Sequence, residues 1–144
     1  QNLIKYADVL TPNLTELCRL LDLPYPNETP THEELYSLCE RLSLEGPSKI
    51  VITGLQRQGA IENFIFETDK PFKIIKVEKI GGDRSGTGDV FSSIVSASIV
   101  KGEDFVSSVE KATSFISKSL KFTTDLNLPG SYGVCFEEFL TELK

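Results

Sequence analysis

Asp83-Arg84-Ser85-Gly86-Thr87-Gly88-Asp89-Val90-Phe91 is the stretch on which the reading of this chain turns. Glycines on both sides of Thr87 let the backbone bend tightly and approach a ligand with no Cβ in the way. Residues 81–88 are predicted to form a loop. From Asp89 to Val100 the residues are apolar or small, which predicts a buried helix that stops at Lys101-Gly102. The first N–H groups of a helix have no partner within it, and the helix dipole adds partial positive charge there. A glycine loop opening into a helix is therefore suited to phosphate, and Asp89 puts a carboxylate at the same point. A carboxylate beside phosphate hinders binding alone, but it has a use if it takes a proton from an attacking hydroxyl. General-base help of that kind contributes roughly 10²–10⁴ in rate, in a reaction otherwise governed by positioning and charge neutralisation. The tetrapeptide Gly86-Thr87-Gly88-Asp89 by itself reads more readily as an ordinary turn with Asp89 as helix N-cap. The chain has neither a Gly-x-x-x-x-Gly-Lys-[Ser/Thr] loop nor a Gly-x-Gly-x-x-Gly fingerprint.

Upstream, residues 6–10 predict a short buried strand ending at Thr11-Pro12. Asn13 is a good N-cap and Glu16 stands three residues on, a capping-box pattern. Leu14, Leu17, Cys18 and Leu21 then recur at helical spacing. Thr31-His32-Glu33-Glu34 repeats the capping signal ahead of Leu35, Leu38, Cys39 and Leu42. His32, the sole histidine, is expected on a solvated first turn. Lys49-Ile50-Val51-Ile52-Thr53-Gly54 carries the β-branched run of a central strand. Residues 60–66 and 72–80 predict two more strands, an antiparallel pair at one sheet edge. Downstream, Phe105, Val109, Ala112, Ile116 and Leu120 mark an amphipathic helix over 104–121, and a short terminal helix is expected near residues 136–143. Phe115 and Phe122 are read as core. The order predicts an α/β layer architecture, a sheet flanked by helices. Ligands in such sheets bind at strand carboxyl ends, where both residues 11–16 and Thr53-Gly54 lie.

Composition narrows the function classes. The 144 residues carry 40% apolar and 25% charged side chains and a net charge of −6, with lysines scattered rather than striped. Nucleic-acid binders show the opposite balance, so nucleic acid is excluded as the main ligand. No apolar run approaches the ~20 residues of a membrane helix, and no membrane partner is expected. The start lacks a signal-peptide pattern. Cys18, Cys39 and Cys135 give neither a disulfide framework nor a zinc pattern; Cys18 and Cys39, among leucines at helical spacing, are expected as buried free thiols, and the compartment as cytoplasmic and reducing. A chain that begins with Gln1 and contains no Met is expected to be part of a longer one. Nothing in the composition marks an internal domain boundary.

The segment from Asp83 to Phe91 resembles the Asp-Thr-x-Gly-Ala/Thr-Gly-Asp-x-Phe signature of the ribokinase-like (PfkB) superfamily. Thr11-Pro12-Asn13-Leu14-Thr15-Glu16 is similar to the Thr-Pro-Asn-x-x-Glu segment of pyridoxal kinases and the related hydroxymethylpyrimidine kinases. Val51-Ile52-Thr53-Gly54 resembles the strand that follows, and Tyr132-Gly133-Val134-Cys135-Phe136-Glu137 looks like pyridoxal kinase ends. The resemblance covers nearly all of the chain and matches the C-terminal half of a family member, so residues 1–144 read as the nucleotide-binding half of a ribokinase-like kinase domain.

The resemblance implies ATP-dependent phosphorylation of the 5′-hydroxyl of pyridoxal, pyridoxine or pyridoxamine. Asp89 would be the catalytic base, and the amides of Gly86, Thr87 and Gly88 would receive the γ-phosphate. Asn13 and Glu16 would help hold Mg²⁺ and the ATP phosphates, with Glu16 towards the metal. Thr11 and Thr53 would lie near the phosphates or an activating monovalent cation such as K⁺, and Gly54 would let the nucleotide approach. Asp89 favours a pyridoxal-type enzyme over a hydroxymethylpyrimidine kinase, whose matching loop often carries Cys there. A sugar or nucleoside kinase and a non-catalytic nucleotide-binding fragment are the alternatives. The isolated segment is expected to have little activity, and a homodimer is compatible with the resemblance. Arg84 departs from the signature's Thr; phosphate contact and a place on a lid both remain open for it.

Overall fold

The β-branched run Ile50-Val51-Ile52 lies inside a four-stranded sheet of order β1-β2-β3-β4. In this computed structural model, which describes residues 3–143, β2 spans Lys49–Arg57. It pairs in parallel with β1 (Val9–Leu10) and antiparallel with β3 (Ala60–Glu67). β4 (Lys73–Glu78) stands at the far edge beside β3. The chain divides into two compact units, residues 1–76 and 77–144. The division falls within β4, with no Gly- or Ser-rich linker, so composition carries no sign of it.

In the first unit, α1 (Leu14–Leu20) and α2 (His32–Ser43) start at complete capping boxes, Asn13 with Glu16 and Thr31 with Glu34. Their apolar faces, Leu14, Leu17 and Cys18 from α1 and Leu35, Cys39 and Leu42 from α2, join Ile50, Ile52, Leu55, Phe64 and Phe66 in one core. Each such side chain contributes about 1.5–3 kcal/mol on full burial. Ile52 pairs with Phe64 and Leu55 with Glu62, so Thr53 and Gly54 together face Asn63. This bulge adds a residue to β2 and reverses its side-chain alternation, which brings Leu55 rather than Gly54 into the core.

Two expectations are corrected here, and the join between β2 and β3 is added. Tyr6 is not in a strand: residues Ile4–Tyr6 form a 3₁₀ turn, closed by the Ala7 N–H donating to the Ile4 carbonyl at 2.9 Å, and β1 begins at Val9. The hairpin joins β2 to β3 through Gln58-Gly59, both at positive φ as two-residue hairpin turns require. His32 is half-buried rather than solvated. Its Nε2 lies 2.9 Å from Glu62 Oε2 and its ring stacks on Phe64.

In the second unit, α3 (Thr87–Val100) packs on α4 (Phe105–Asp125). Phe91, Ile94 and Val95 of α3 are buried, as are Phe105, Val109, Ala112 and Phe115 of α4. Ile116 and Leu120, expected on the same α4 face, are half-buried. The sequence predicts burial of all of α3, whereas Ala97 and Val100 are exposed. The terminal helix is a 3₁₀ segment, Glu137–Leu143, in which Phe139 meets Phe122 edge-on. No helix among the described residues is long and apolar enough to cross a membrane.

Candidate functional site

Thr53 and Gly54, expected at a strand end, lie inside β2, which runs on to Arg57, because the bulge lets the ladder with β3 continue past them; residues 11–16 nonetheless meet them. The Thr53 N–H donates to the Pro12 carbonyl at 2.9 Å, and Asn13 and Thr53 form a parallel bridge. Thr11, Asn13 and Glu16 therefore follow the carboxyl end of β1 and lie beside Thr53 and Gly54 in the middle of β2. Asn13 Oδ1 accepts from the Glu16 N–H at 2.9 Å, and Glu16 Oε2 accepts from the Asn13 N–H at 2.9 Å. The reciprocal bonds fix both side chains at the helix start. Oε1 of the exposed Glu16 carboxylate takes no hydrogen bond among the described residues. Thr11, Pro12, Glu16 and Arg19 line a cavity of ≈ 430 Å³. Asn63 is a residue that the sequence reading missed. It is buried opposite the bulge, and its Oδ1 accepts from the Gly54 N–H at 3.2 Å. Its one sequence signal is an amide next to Glu62, directly before the apolar run Phe64-Ile65-Phe66.

In the second unit, the loop passes into α3 two residues earlier than expected. Gly86 is the N-cap at φ 87°, a left-handed backbone that a side chain would strain, and no atom lies within 4 Å of where its Cβ would stand. Thr87 and Gly88 are the first two helical residues and Asp89 is the third, so Asp89 is not the N-cap. The first bond of the helix is from the Val90 N–H to the Gly86 carbonyl at 3.0 Å. Among the described residues nothing accepts the N–H groups of Gly86, Thr87 and Gly88. The Thr87 hydroxyl is directed back to the Arg84 carbonyl at 3.3 Å, so Thr87 offers a ligand its amide. The Asp89 carboxylate is exposed and makes no hydrogen bond or ion pair among the described residues. It opens onto a cavity of ≈ 930 Å³ lined also by Ser85, Ser93 and Val134. Open helix-start amides beside an uncommitted carboxylate can bind an anion and accept a proton on the same turn. No cluster of three or more His, Cys, Asp or Glu side chains suited to a metal occurs among the described residues.

The mixed parallel and antiparallel sheet flanked by helices is a ribokinase-like fold. The family model described as phosphomethylpyrimidine kinase matches residues 1–134, and the chain belongs to that family. It is 27% identical over 119 residues to a hydroxymethylpyrimidine/phosphomethylpyrimidine kinase of Aquifex aeolicus, covering 82% of this chain and 45% of that protein. Among solved structures, it is similar to a Bacteroides thetaiotaomicron protein provisionally named a phosphomethylpyrimidine kinase and crystallised with pyridoxal. That likeness has 30% identity and a TM-score of 0.90, and covers 99% of this chain and 51% of the other. Pyridoxal kinase from Entamoeba histolytica is similar at 29% identity and a TM-score of 0.81, with 99% and 49% covered. The chain thus spans about half the length of the relatives it matches.

Proposed function

We propose that this chain is the C-terminal, nucleotide-binding half of an ATP-dependent kinase that phosphorylates the 5′-hydroxyl of a B6 vitamer. The observation that carries the reading is the first turn of α3, where the amides of Gly86, Thr87 and Gly88 are open and Asp89 is unpaired. In the reaction the acceptor oxygen bonds to the γ-phosphorus, and the bond from that phosphorus to the bridging oxygen breaks. ADP leaves and the hydroxyl proton passes to Asp89. The amides meet the charge on the transferred group. Asn13, Glu16, Thr11 and the Thr53-Gly54 bulge are the groups for the remaining phosphates. Mg²⁺ fits the donors present in one respect: Glu16 is a carboxylate with an uncommitted oxygen, and Mg²⁺ characteristically takes one or two carboxylates together with water and phosphate. When bound it would neutralise phosphate charge.

Hydroxymethylpyrimidine phosphorylation is the second reading, favoured by the family model and the Aquifex relative. Asp89, free to act as a base, supports the B6 reading. The deciding experiment gives the full-length protein ATP and pyridoxal, pyridoxine, pyridoxamine or hydroxymethylpyrimidine. Preferential turnover of the B6 vitamers is expected. Preference for hydroxymethylpyrimidine would replace the first reading with the second, and turnover of none of them would reject both.

A further inference from the structure

We infer that Arg84 is a positioning residue whose guanidinium ties the phosphate loop to the segment around residues 128–132 instead of touching phosphate. The inference rests on the kinase reading of residues 86–89. A phosphate ligand needs a guanidinium aimed at the ligand, whereas three of the five N–H groups of Arg84 already hold it against backbone carbonyls. Its Nη1 donates to the carbonyls of Pro129 at 2.7 Å and Tyr132 at 3.3 Å, and its Nη2 donates to that of Leu128 at 2.9 Å. A planar guanidinium presents its N–H groups in a fixed fork, and three carbonyls converging on one fork specify its position. Bonds from a charged donor are roughly twice as strong as neutral ones.

Two further ties act on the same few residues. The Val134 N–H donates to the Ser85 carbonyl at 3.2 Å, and the Thr87 hydroxyl donates to the Arg84 carbonyl at 3.3 Å. A Cβ at Gly133 would stand 3.2 Å from the Ser85 oxygen, a close approach that glycine permits. The other segment is itself anchored: the Cys135 N–H donates at 2.8 Å to the hydroxyl of Thr123, which is fully buried in α4. A continuous path of hydrogen bonds therefore runs from α4 through residues 128–135 to Arg84 and Ser85, immediately before the Gly86 N-cap. The preceding Gly81-Gly82-Asp83 has no regular structure to hold it. Without the fork, the loop before α3 keeps only the Val134 to Ser85 hydrogen bond to that segment. Misplacing catalytic groups by about 1 Å can cost about 10²-fold in rate.

The test uses the full-length protein with Arg84→Ala and Arg84→Lys. Arg84→Ala is expected to lower kcat about 10- to 100-fold with the acceptor KM changed less than about twofold. Arg84→Lys should recover little, because one ammonium cannot span three carbonyls. In Arg84→Ala, amide hydrogen exchange read by mass spectrometry should rise over residues 84–89 and 128–134 and stay unchanged elsewhere. Near-complete rescue by Lys, or a rise confined to the ATP KM, would make Arg84 a cation for phosphate and overturn the inference. Unchanged exchange over both segments would overturn it too. If wild type phosphorylates no acceptor, the kinase reading fails while the exchange comparison still decides the tie. Should Arg84→Ala not fold, the same two readouts are taken on Arg84→Lys, with the same outcomes deciding.

Discussion

The side-chain oxygen of Asn63 accepts the Gly54 amide hydrogen at 3.2 Å, at the one place where two residues of β2 face a single residue of β3. The bond fills a gap in the ladder that the extra residue opens. It also fixes the bulge that places Gly54 beside Thr53, which is itself held to Pro12. Asn63→Leu is expected to destabilise the protein by about 1–3 kcal/mol, the range for a donor left without its partner. Urea unfolding of the full-length protein measures this, and an unchanged midpoint with an unchanged slope would count against it.

Glu62 gives a pH dependence. Its side chain is 7% exposed and faces His32 Nε2 at 2.9 Å, Arg57 Nε at 3.2 Å and Lys76 Nζ at 3.7 Å. Burial on its own pushes the carboxyl pKa up, but the hydrogen bond and charge of His32, with Arg57 and Lys76, outweigh it and hold the pKa below the usual carboxylate range. A depressed folded-state pKa means that the stabilisation is fully present above the unfolded value of about 4.3 and is lost as pH falls through the folded value. Glu62→Gln should therefore lower the melting temperature at pH 7, and the gap from wild type should narrow as pH drops below about 4. Melting curves from pH 7 to pH 3 test it; a gap constant across that range would refute the prediction.

What the sequence reveals depends on how far apart the interacting residues are. Both capping boxes are visible because each joins residues three positions apart. The Gly86-Thr87-Gly88-Asp89 loop is visible because its chemistry is backbone chemistry on adjacent residues. The start of α3 is shifted by two residues because Thr87 and Gly88 have no bulk that forbids a first helical turn. The hairpin turn is hidden because Gln58-Gly59 lacks the Asn or Asp that signals such turns. The positions of His32 and Arg84 could not be read at all: the partner of His32 is 30 residues away, and those of Arg84 are 44 to 48 away. Each side chain, taken alone, looks like a surface charge.

The cysteines should separate by reactivity. Cys39 is fully buried and Cys18 nearly so, while Cys135 is half-buried. Burial pushes the Cys39 thiol up to about 12, so it stays protonated at neutral and mildly alkaline pH, and the thiolate is the reacting form. A thiol-specific reagent added to native protein should label Cys135 first, leaving Cys18 and Cys39 unmodified until denaturant is added. Peptide mass spectrometry reads the order. Labelling of Cys39 in folded protein that quickens between pH 7 and pH 9 would contradict the buried, protonated state.

Asp89 is the third residue of α3, and its carboxylate is exposed. Asp89→Asn keeps the size of the side chain and leaves the open amides of Gly86, Thr87 and Gly88 in place, but it removes the proton acceptor. If Asp89 is the base, kcat should fall by about 10²–10⁴. ATP affinity should stay level or improve, because a negative charge beside the γ-phosphate has been removed. A residue that served only to shape the helix start would show the reverse pattern, with weakened ATP binding and turnover per bound complex nearly intact. Steady-state kinetics with ATP and acceptor varied separately, together with equilibrium binding of a non-hydrolysable ATP analogue, distinguish the two. Loss confined to kcat assigns the proton transfer to Asp89, and loss confined to nucleotide binding removes it from that role.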